Sequence, residues 1–561
     1  MDKKYRILVI CAVILVLGFI GTASAKTWHV DDSGGANFTR IQDAINNECV
    51  IDGDTILVYP GIYCENVVVN KSITLKGIDH PTVDACGDGN AITLCADGIT
   101  LEGFNATNSG SSWEDAGIKV ISNNNTITSN SASNNRDGIY LEESSNNNIT
   151  GNNFSNNYKG IWLYYYCNSN TIAGNNFSNN NEDGIYLDDS RYNTIAGNNF
   201  SNNNYCGISL EASSNNNIAD NTFVNDGLFV YYSYQNTVED NIVNGKPLVY
   251  LEDASDYKVE NAGQVILVNC ANITVENLNL SNTSIGIELL ETEGSIISSN
   301  NVRNHRLYGI HLEESSNNNI TSNNVRNNNY DGIYLDGSSN NTITSNNLHN
   351  NTECGISSGH SSNNTVTGNN VSNNGDGIGL WHSSNNNAIT GNKVSNNNYA
   401  GIYLFESSNN NITGNTVSSN RYGITLFRSS NNNKVYLNNF IDSPDNVYSY
   451  KSTNIWNSTE NITYIHNGSM YTNYMGNCWD DYNGTDANND GIGDTPCIIS
   501  GDNPDNYPLT EPFENYFHPP APLPTLMPSS SPSPPTPPGF EALFTIAGLL
   551  TVAYILLRRK R

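Results

Sequence analysis

The chain has 561 residues, a formal net charge of −30 and only 14% charged residues. That balance argues against a nucleic-acid binder, which needs a basic footprint, and the apolar residues are too many and too periodic for a disordered acidic tail. Eleven cysteines without a C-x-x-C pattern point to disulfides in an oxidising exterior rather than to zinc.

Residues 1–25 read as a secretory signal peptide. Lys3, Lys4 and Arg6 form the basic region, residues 7–20 the apolar core, and Ala23-Ser24-Ala25 the cleavage site. A retained membrane anchor is the alternative. Residues 26–110 are expected to form an N-terminal cap and the first rungs of a coil. Residues 38–45 space their apolar side chains helically, which suits a cover over an otherwise unpaired sheet edge. Strand-like runs follow at residues 55–59, 67–69, 72–75 and 98–101. Cys49 with Cys64, and Cys86 with Cys95, are the expected disulfides here.

Residues 111–441 repeat one unit every roughly 22–24 residues. Each unit opens with glycine (Gly138, Gly160, Gly184, Gly207, Gly309, Gly332), followed by Ile and, two further on, usually Leu. Apolar–x–apolar is the period of a strand. A second apolar column runs through Ile149, Ile172 and Ile195, and a third through Phe154, Phe177 and Phe200. No helical spacing persists, so the fold is an all-β, right-handed parallel β-helix, the hand following from the crossover rule. Asn columns through Asn147 and Asn170, and through Asn152 and Asn175, mark the corners. Asn tolerates left-handed turns, and its amides can bond the same residue one rung away. Residues 227–285 break the pattern and read as rungs with a longer corner inside the same solenoid.

Residues 442–518 form a C-terminal cap. Asp486, Asn488, Asp490 and Asp494, with the Ile492 carbonyl and the turn at Gly491, match the first part of a calcium loop. A Cys478–Cys497 disulfide is expected to hold Asp480 or Asp481 near it. An Asp/Asn/Gly-rich turn without an ion is the alternative. Residues 519–538 are a Pro/Ser-rich spacer. Residues 539–561 end in an apolar run and Arg558-Arg559-Lys560-Arg561, long enough for a transmembrane helix.

The opening segments W-H-V-D-D, F-T-R-I-Q-D-A-I, G-D-T-I-L-V-Y-P-G-I-Y and K-S-I-T-L-K-G resemble those of secreted right-handed β-helix proteins, most of all the NosD-like family. That family's namesakes are periplasmic proteins linked to copper delivery. Pro538-Gly539-Phe540 and the run behind it resemble the archaeal PGF-CTERM sorting signal, which implies cleavage by an archaeosortase and a lipid anchor. Nine scattered His and four Met argue against copper here. No nucleotide or organic-cofactor motif is present in the sequence.

The outward position between Ile and Leu reads Tyr140, Trp162, Tyr186, Tyr334 and Tyr403, with carboxylates just beyond. Such a stripe can grip a glycan by stacking; equally, it can be cross-rung packing beside a solvated acidic edge. Arg303, His311, Glu313, Arg326 and Asp336, with His349, are the mixed-charge set that a polysaccharide hydrolase or lyase would use. Two expectations follow. One is a C-terminally anchored surface protein, structural, adhesive or glycan-binding and not catalytic, whose partner is the cell envelope or an extracellular glycan. The other is a polysaccharide-cleaving enzyme. N-x-S/T sequons at Asn148, Asn153, Asn319 and Asn461 permit glycosylation.

Overall fold

Each repeat closes one turn because three short apolar segments are joined by polar corners, the tightest only two residues long. In one turn these are the strands Lys159–Tyr164, Thr171–Ala173 and Asn176–Ser178. The computed structural model describes residues 25–517; the signal peptide, the Pro/Ser spacer and the expected transmembrane helix lie outside them. The described chain winds as a right-handed parallel β-solenoid of about 17 turns.

Register follows the columns. Ile139, Ile161, Ile185 and Ile208 are paired on successive strands, as are Phe154, Phe177, Phe200 and Phe223. These phenylalanines are buried and stack face to face with centroids 4.9–5.0 Å apart. The repeat glycine is explained by the same closeness. A Cβ on Gly160 would stand 2.4 Å from the Gly184 carbonyl oxygen and 2.7 Å from Phe177 Cδ1.

The Asn columns divide the two roles expected of them. The columns through Asn147 and Asn152 are buried side-chain ladders. The Asn152 N–H and Nδ2 both donate to Asn175 Oδ1 (2.8 and 3.0 Å), and Asn175 donates likewise to Asn198 Oδ1 (2.9 and 3.0 Å). The left-handed turns fall on other residues, such as Asn146, Asn156, Asn179 and Asn202. A third ladder, Asn157–Asn180–Asn203, ends on Asp226, whose carboxylate accepts both Asn203 donors.

At the N-terminus the helix Ile41–Asn46 buries Ile41, Ala44 and Ile45, and the Glu65 carboxylate accepts the Ile41 and Gln42 N–H groups at its start (3.0 and 3.1 Å). The expected disulfides are corrected: Cys64 is joined to Cys86, leaving Cys49 and Cys95 free. In a coil, side-by-side residues are one rung apart in sequence, here 22 residues. The separations of 15 and 9 in the expected pairs are too short to return to the same side.

The irregular segment is more than a long corner. The sheet of Gly-Ile-x-Leu strands that starts at Val67–Val69 ends at Leu228–Tyr231. The chain then turns through an antiparallel pair, Ile242–Val243 with Lys246–Glu252, and Lys246–Glu252 pairs forward with Gln264–Val268 to begin the Gly-Ile-x-Leu face of a second coil. Two separate hydrophobic cores result. Among the described residues no strand extends this sheet beyond Leu228–Tyr231. Side chains of the second coil serve its edge instead: Gln264 Oε1 accepts the Leu228 N–H (3.0 Å) and its Nε2 donates to the Leu228 carbonyl, while Glu288 Oε1 accepts the Val230 N–H (3.4 Å).

The last turn pairs Asn439–Ile441 with Cys478–Trp479. Trp479 stacks on Phe440 at 4.7 Å, and Tyr464, Met475, Ile492, Leu509 and Tyr516 form a small separate core for the cap.

Candidate functional site

The residue between Ile and Leu of each turn faces outward, and pairing aligns these residues across rungs. In the first coil the column runs Tyr140, Trp162, Tyr186, Ser209, Phe229; in the second, Glu288, His311, Tyr334, Ser357, Gly379, Tyr403. Trp162, Tyr186, Tyr334 and Tyr403 are half-buried. Tyr140 is fully covered, which corrects its expected place on an open stripe. Trp113 lies edge-on over it at 6.1 Å, and the Lys119 ammonium sits 5.1 Å from its ring, tied to Glu114 and Glu142.

Where small residues interrupt the aromatic column, hollows open. At Ser209, between Tyr186 and Phe229, a cleft of ≈ 480 Å³ has one wall from each coil: Trp162, Glu182, Asp183 and Glu211 from the first, Leu307, Tyr308 and Tyr330 from the second. Tyr205 and Tyr330 touch hydroxyl to hydroxyl across it. Lys159 and Tyr158 both donate to Glu182, and Tyr186 donates to Glu211. Asp183 is buried, with Oδ1 unpartnered, as is Trp162 Nε1. Burial pushes the Asp183 carboxyl up to about 7, against the pull of Lys159.

The second hollow, ≈ 280 Å³, is lined by Tyr334, Ser357, Gly359 and Trp381 among others and shares Tyr308 with the first. Gly379 lies beneath Trp381, where a Cβ would stand 2.6 Å from the indole Nε1. His360 and His382 stack at its rim at 5.6 Å; His360 faces Asp336 (3.2 Å) and His382 faces Glu406 (3.6 Å).

The expected mixed-charge set does not assemble. His311, Glu313 and Asp336 belong to the Gly-Ile-x-Leu sheet. Arg303, Arg326 and His349 form a ladder on another sheet. The corner between the two strands turns the chain to a different face, and among the described residues no ion pair joins the groups. His311 and Glu313 are also buried, under Phe229 and beside Glu288. The His311 Nδ1 lies 3.9 Å from Glu288 and its Nε2 3.6 Å from Glu313. Burial alone would depress this imidazole, but the two carboxylates outweigh it and raise the pKa to about 9. The group therefore joins the coils and is closed to a polymer.

In the cap, Asp486 accepts the Asp490 and Gly491 N–H groups (3.1 and 2.7 Å), Asp490 accepts the Ile492 N–H (2.9 Å) and Asp494 the Ala487 N–H (2.8 Å). Asn488 bonds Asp490 Oδ2 (3.1 Å). Among the described residues no group of three or more His, Cys, Asp or Glu side chains is gathered for a metal. Cys478 and Cys497 are both free, contrary to expectation: Cys478 is paired into the last turn, while Cys497 bridges back to Asp505.

Lys159, Glu182, Asp183, Tyr205, Tyr308, Tyr330 and Trp381 were not singled out by the sequence. Lys159, Asp183 and Tyr308 immediately precede a repeat glycine, and Glu182, Tyr205 and Tyr330 stand two residues before one. The one available signal was the break in the aromatic column at Ser209.

This architecture defines a right-handed parallel β-helix protein with an aromatic and acidic outer face. The chain belongs to the family of the periplasmic copper-binding protein NosD, whose model matches residues 47–227 and 348–484, more than half of it. A right-handed β-helix region is matched over residues 253–394 and a PGF-CTERM motif over 538–560. A cell surface glycoprotein of Methanothermus fervidus is 34% identical over 104 residues, 18% of this chain and 17% of that protein, so the chain spans well under two thirds of the relative it matches. Among solved structures, the A-module of the Azotobacter vinelandii mannuronan C-5 epimerase AlgE6 is similar over 74% of this chain and 93% of its own (11% identity, TM-score 0.22). The pectate lyase Pel9A is similar over 47% and 71% (15%, 0.30), and the DFA-IIIase of Arthrobacter chlorophenolicus over 54% and 86% (12%, 0.29). These superpositions are too loose to transfer a residue. The PGF-CTERM motif marks an extracellular surface protein anchored at its C-terminus and processed by an archaeosortase.

Proposed function

We propose that this surface β-helix binds an envelope or extracellular glycan along its Gly-Ile-x-Leu face without turning it over. One observation carries the reading: the two hollows open at Ser209 and at Ser357, each of which follows a tyrosine in a largely aromatic column, and they share Tyr308. Ring faces fixed on a rigid ladder offer stacking area at little entropic cost, and the carboxylates beside them accept hydroxyl hydrogen bonds. A glycan array on the purified protein, repeated with Trp162→Ala and Trp381→Ala, tests it. Retention that both variants weaken supports the reading; release of shortened or unsaturated products would sink the non-catalytic part.

The cleaving alternative has one feature in its favour. Asp183, its carboxyl held near 7, titrates in the range of a general acid. Its signature would be product release by the wild type that Asp183→Asn abolishes.

A further inference from the structure

We infer that the cleft between the two coils takes an uncharged, hydroxyl-bearing sugar unit and turns uronic acids away; this rests on the glycan-binding reading above. The charges around the opening are the first reason. Glu182, Asp183 and Glu211 line it against one cation, Lys159, whose ammonium is already bonded to Glu182. Tyr158 and Tyr186 likewise spend their hydroxyl protons on Glu182 and Glu211. No lining cation is left for a ligand carboxylate, and the chain's net charge of −30 disfavours the approach of an anionic polymer from a distance.

Asp183 is the second reason. It lines the cleft, is only 5% exposed, and burial raises its carboxyl to about 7. Ionised, it repels a ligand carboxylate; protonated, as it is in part near neutrality, it can both donate and accept, which suits hydroxyls.

Shape agrees. The ≈ 480 Å³ cleft opens at Ser209, where the column lacks the ring that Trp162 and Tyr186 place on the preceding rungs. That is within the usual size range of small-ligand pockets, and aromatic faces from both coils bound it.

The test is calorimetric titration of the purified full-length protein with three probes of equal length: a neutral hexose oligosaccharide, an N-acetylhexosamine oligosaccharide and an oligogalacturonate. At least one uncharged probe should bind at least about tenfold more tightly than the uronate. Ser209→Tyr, which places a ring in the hollow, should weaken that binding about tenfold or more. Trp162→Ala removes a ring that lines the cleft and should cost about three- to tenfold, which keeps the test informative if Ser209→Tyr folds poorly. Uronate binding as tight as neutral binding overturns the inference. So does neutral binding that is unchanged in both variants yet lost in Trp381→Ala, which would leave the glycan-binding reading standing. No binding to these probes, nor to any glycan on the array, overturns both.

Discussion

Removing one rung of an asparagine ladder should damage the coil far more than its single side chain suggests. Asn175 is fully buried. Its Oδ1 accepts two bonds from Asn152, and its Nδ2 donates to the Ile149 carbonyl (2.9 Å) and to Asn198 Oδ1. Asn175→Ala leaves the Asn152 N–H without its acceptor and the Ile149 carbonyl without this donor, both inside the buried ladder. At about 1–3 kcal/mol for each stranded group, the loss is about 2–6 kcal/mol. Asn175→Asp keeps the acceptor for Asn152 but aims a carboxylate at the Ile149 and Asn198 oxygens, so it should be at least as damaging at neutral pH and milder once protonated. Urea denaturation followed by circular dichroism, with hydrogen exchange at Asn152, is the assay. An Asn175→Ala protein within about 0.5 kcal/mol of wild type, with Asn152 still protected, would refute the ladder as a source of stability.

Asp331→Asn should stabilise the protein at pH 8 and do nothing at pH 4. Burial raises this carboxyl to about 7, so ionising it costs stability progressively from pH 4 to 7, up to about 4 kcal/mol, and an amide still accepts the Cys354 N–H (2.7 Å); equal shifts in melting temperature at both pH values would contradict this. The junction should loosen in alkali. With its pKa raised to about 9, His311 contributes fully below about pH 6.5 and progressively less up to 9, about 3 kcal/mol in all, so exchange at residues 228–232 should quicken over that window and His311→Asn should remove the dependence. We also propose calcium for the loop of Asp486, Asn488, Asp490, Ile492 and Asp494. Chelator should then lower the melting temperature of the wild type but not of Asp490→Ala, and identical melts with calcium and with EDTA would defeat it.

The fold was legible because one constraint repeats. Ile, Leu and Phe recur in phase, so pairing a single turn fixes the register of its neighbours, and Gly recurs because only a hydrogen fits against the next carbonyl. What the repeat does not encode was read less well. The end of the first sheet at Leu228–Tyr231 depends on Gln264 and Glu288 reaching across from the next coil, and no local pattern announces that. The mixed-charge set seemed adjacent because Arg303 and His311 are eight residues apart, but a corner separates their faces. Tyr140 has the outward position its column predicts and is buried because Trp113 and Lys119 fold over it. The wall formed by Tyr308 and Tyr330 was invisible for the same reason as the junction: its partner surface is more than a hundred residues away in sequence.

The Asp226 terminus of the third ladder bears on how such a protein can change length. Every internal Asn passes its protons to the next rung and receives them from the one before, so any whole turn is interchangeable with its neighbours. A tandem copy of about 23 residues inserted anywhere upstream would find its donors and acceptors already in place. Asp226 has no amide to pass on. It works as a stop signal, and a turn added after it would meet a carboxylate where it needs a donor. Lengthening by duplication is therefore tolerated within each coil and blocked at the boundary between them, which would keep the cleft at a fixed place while the coils on either side vary.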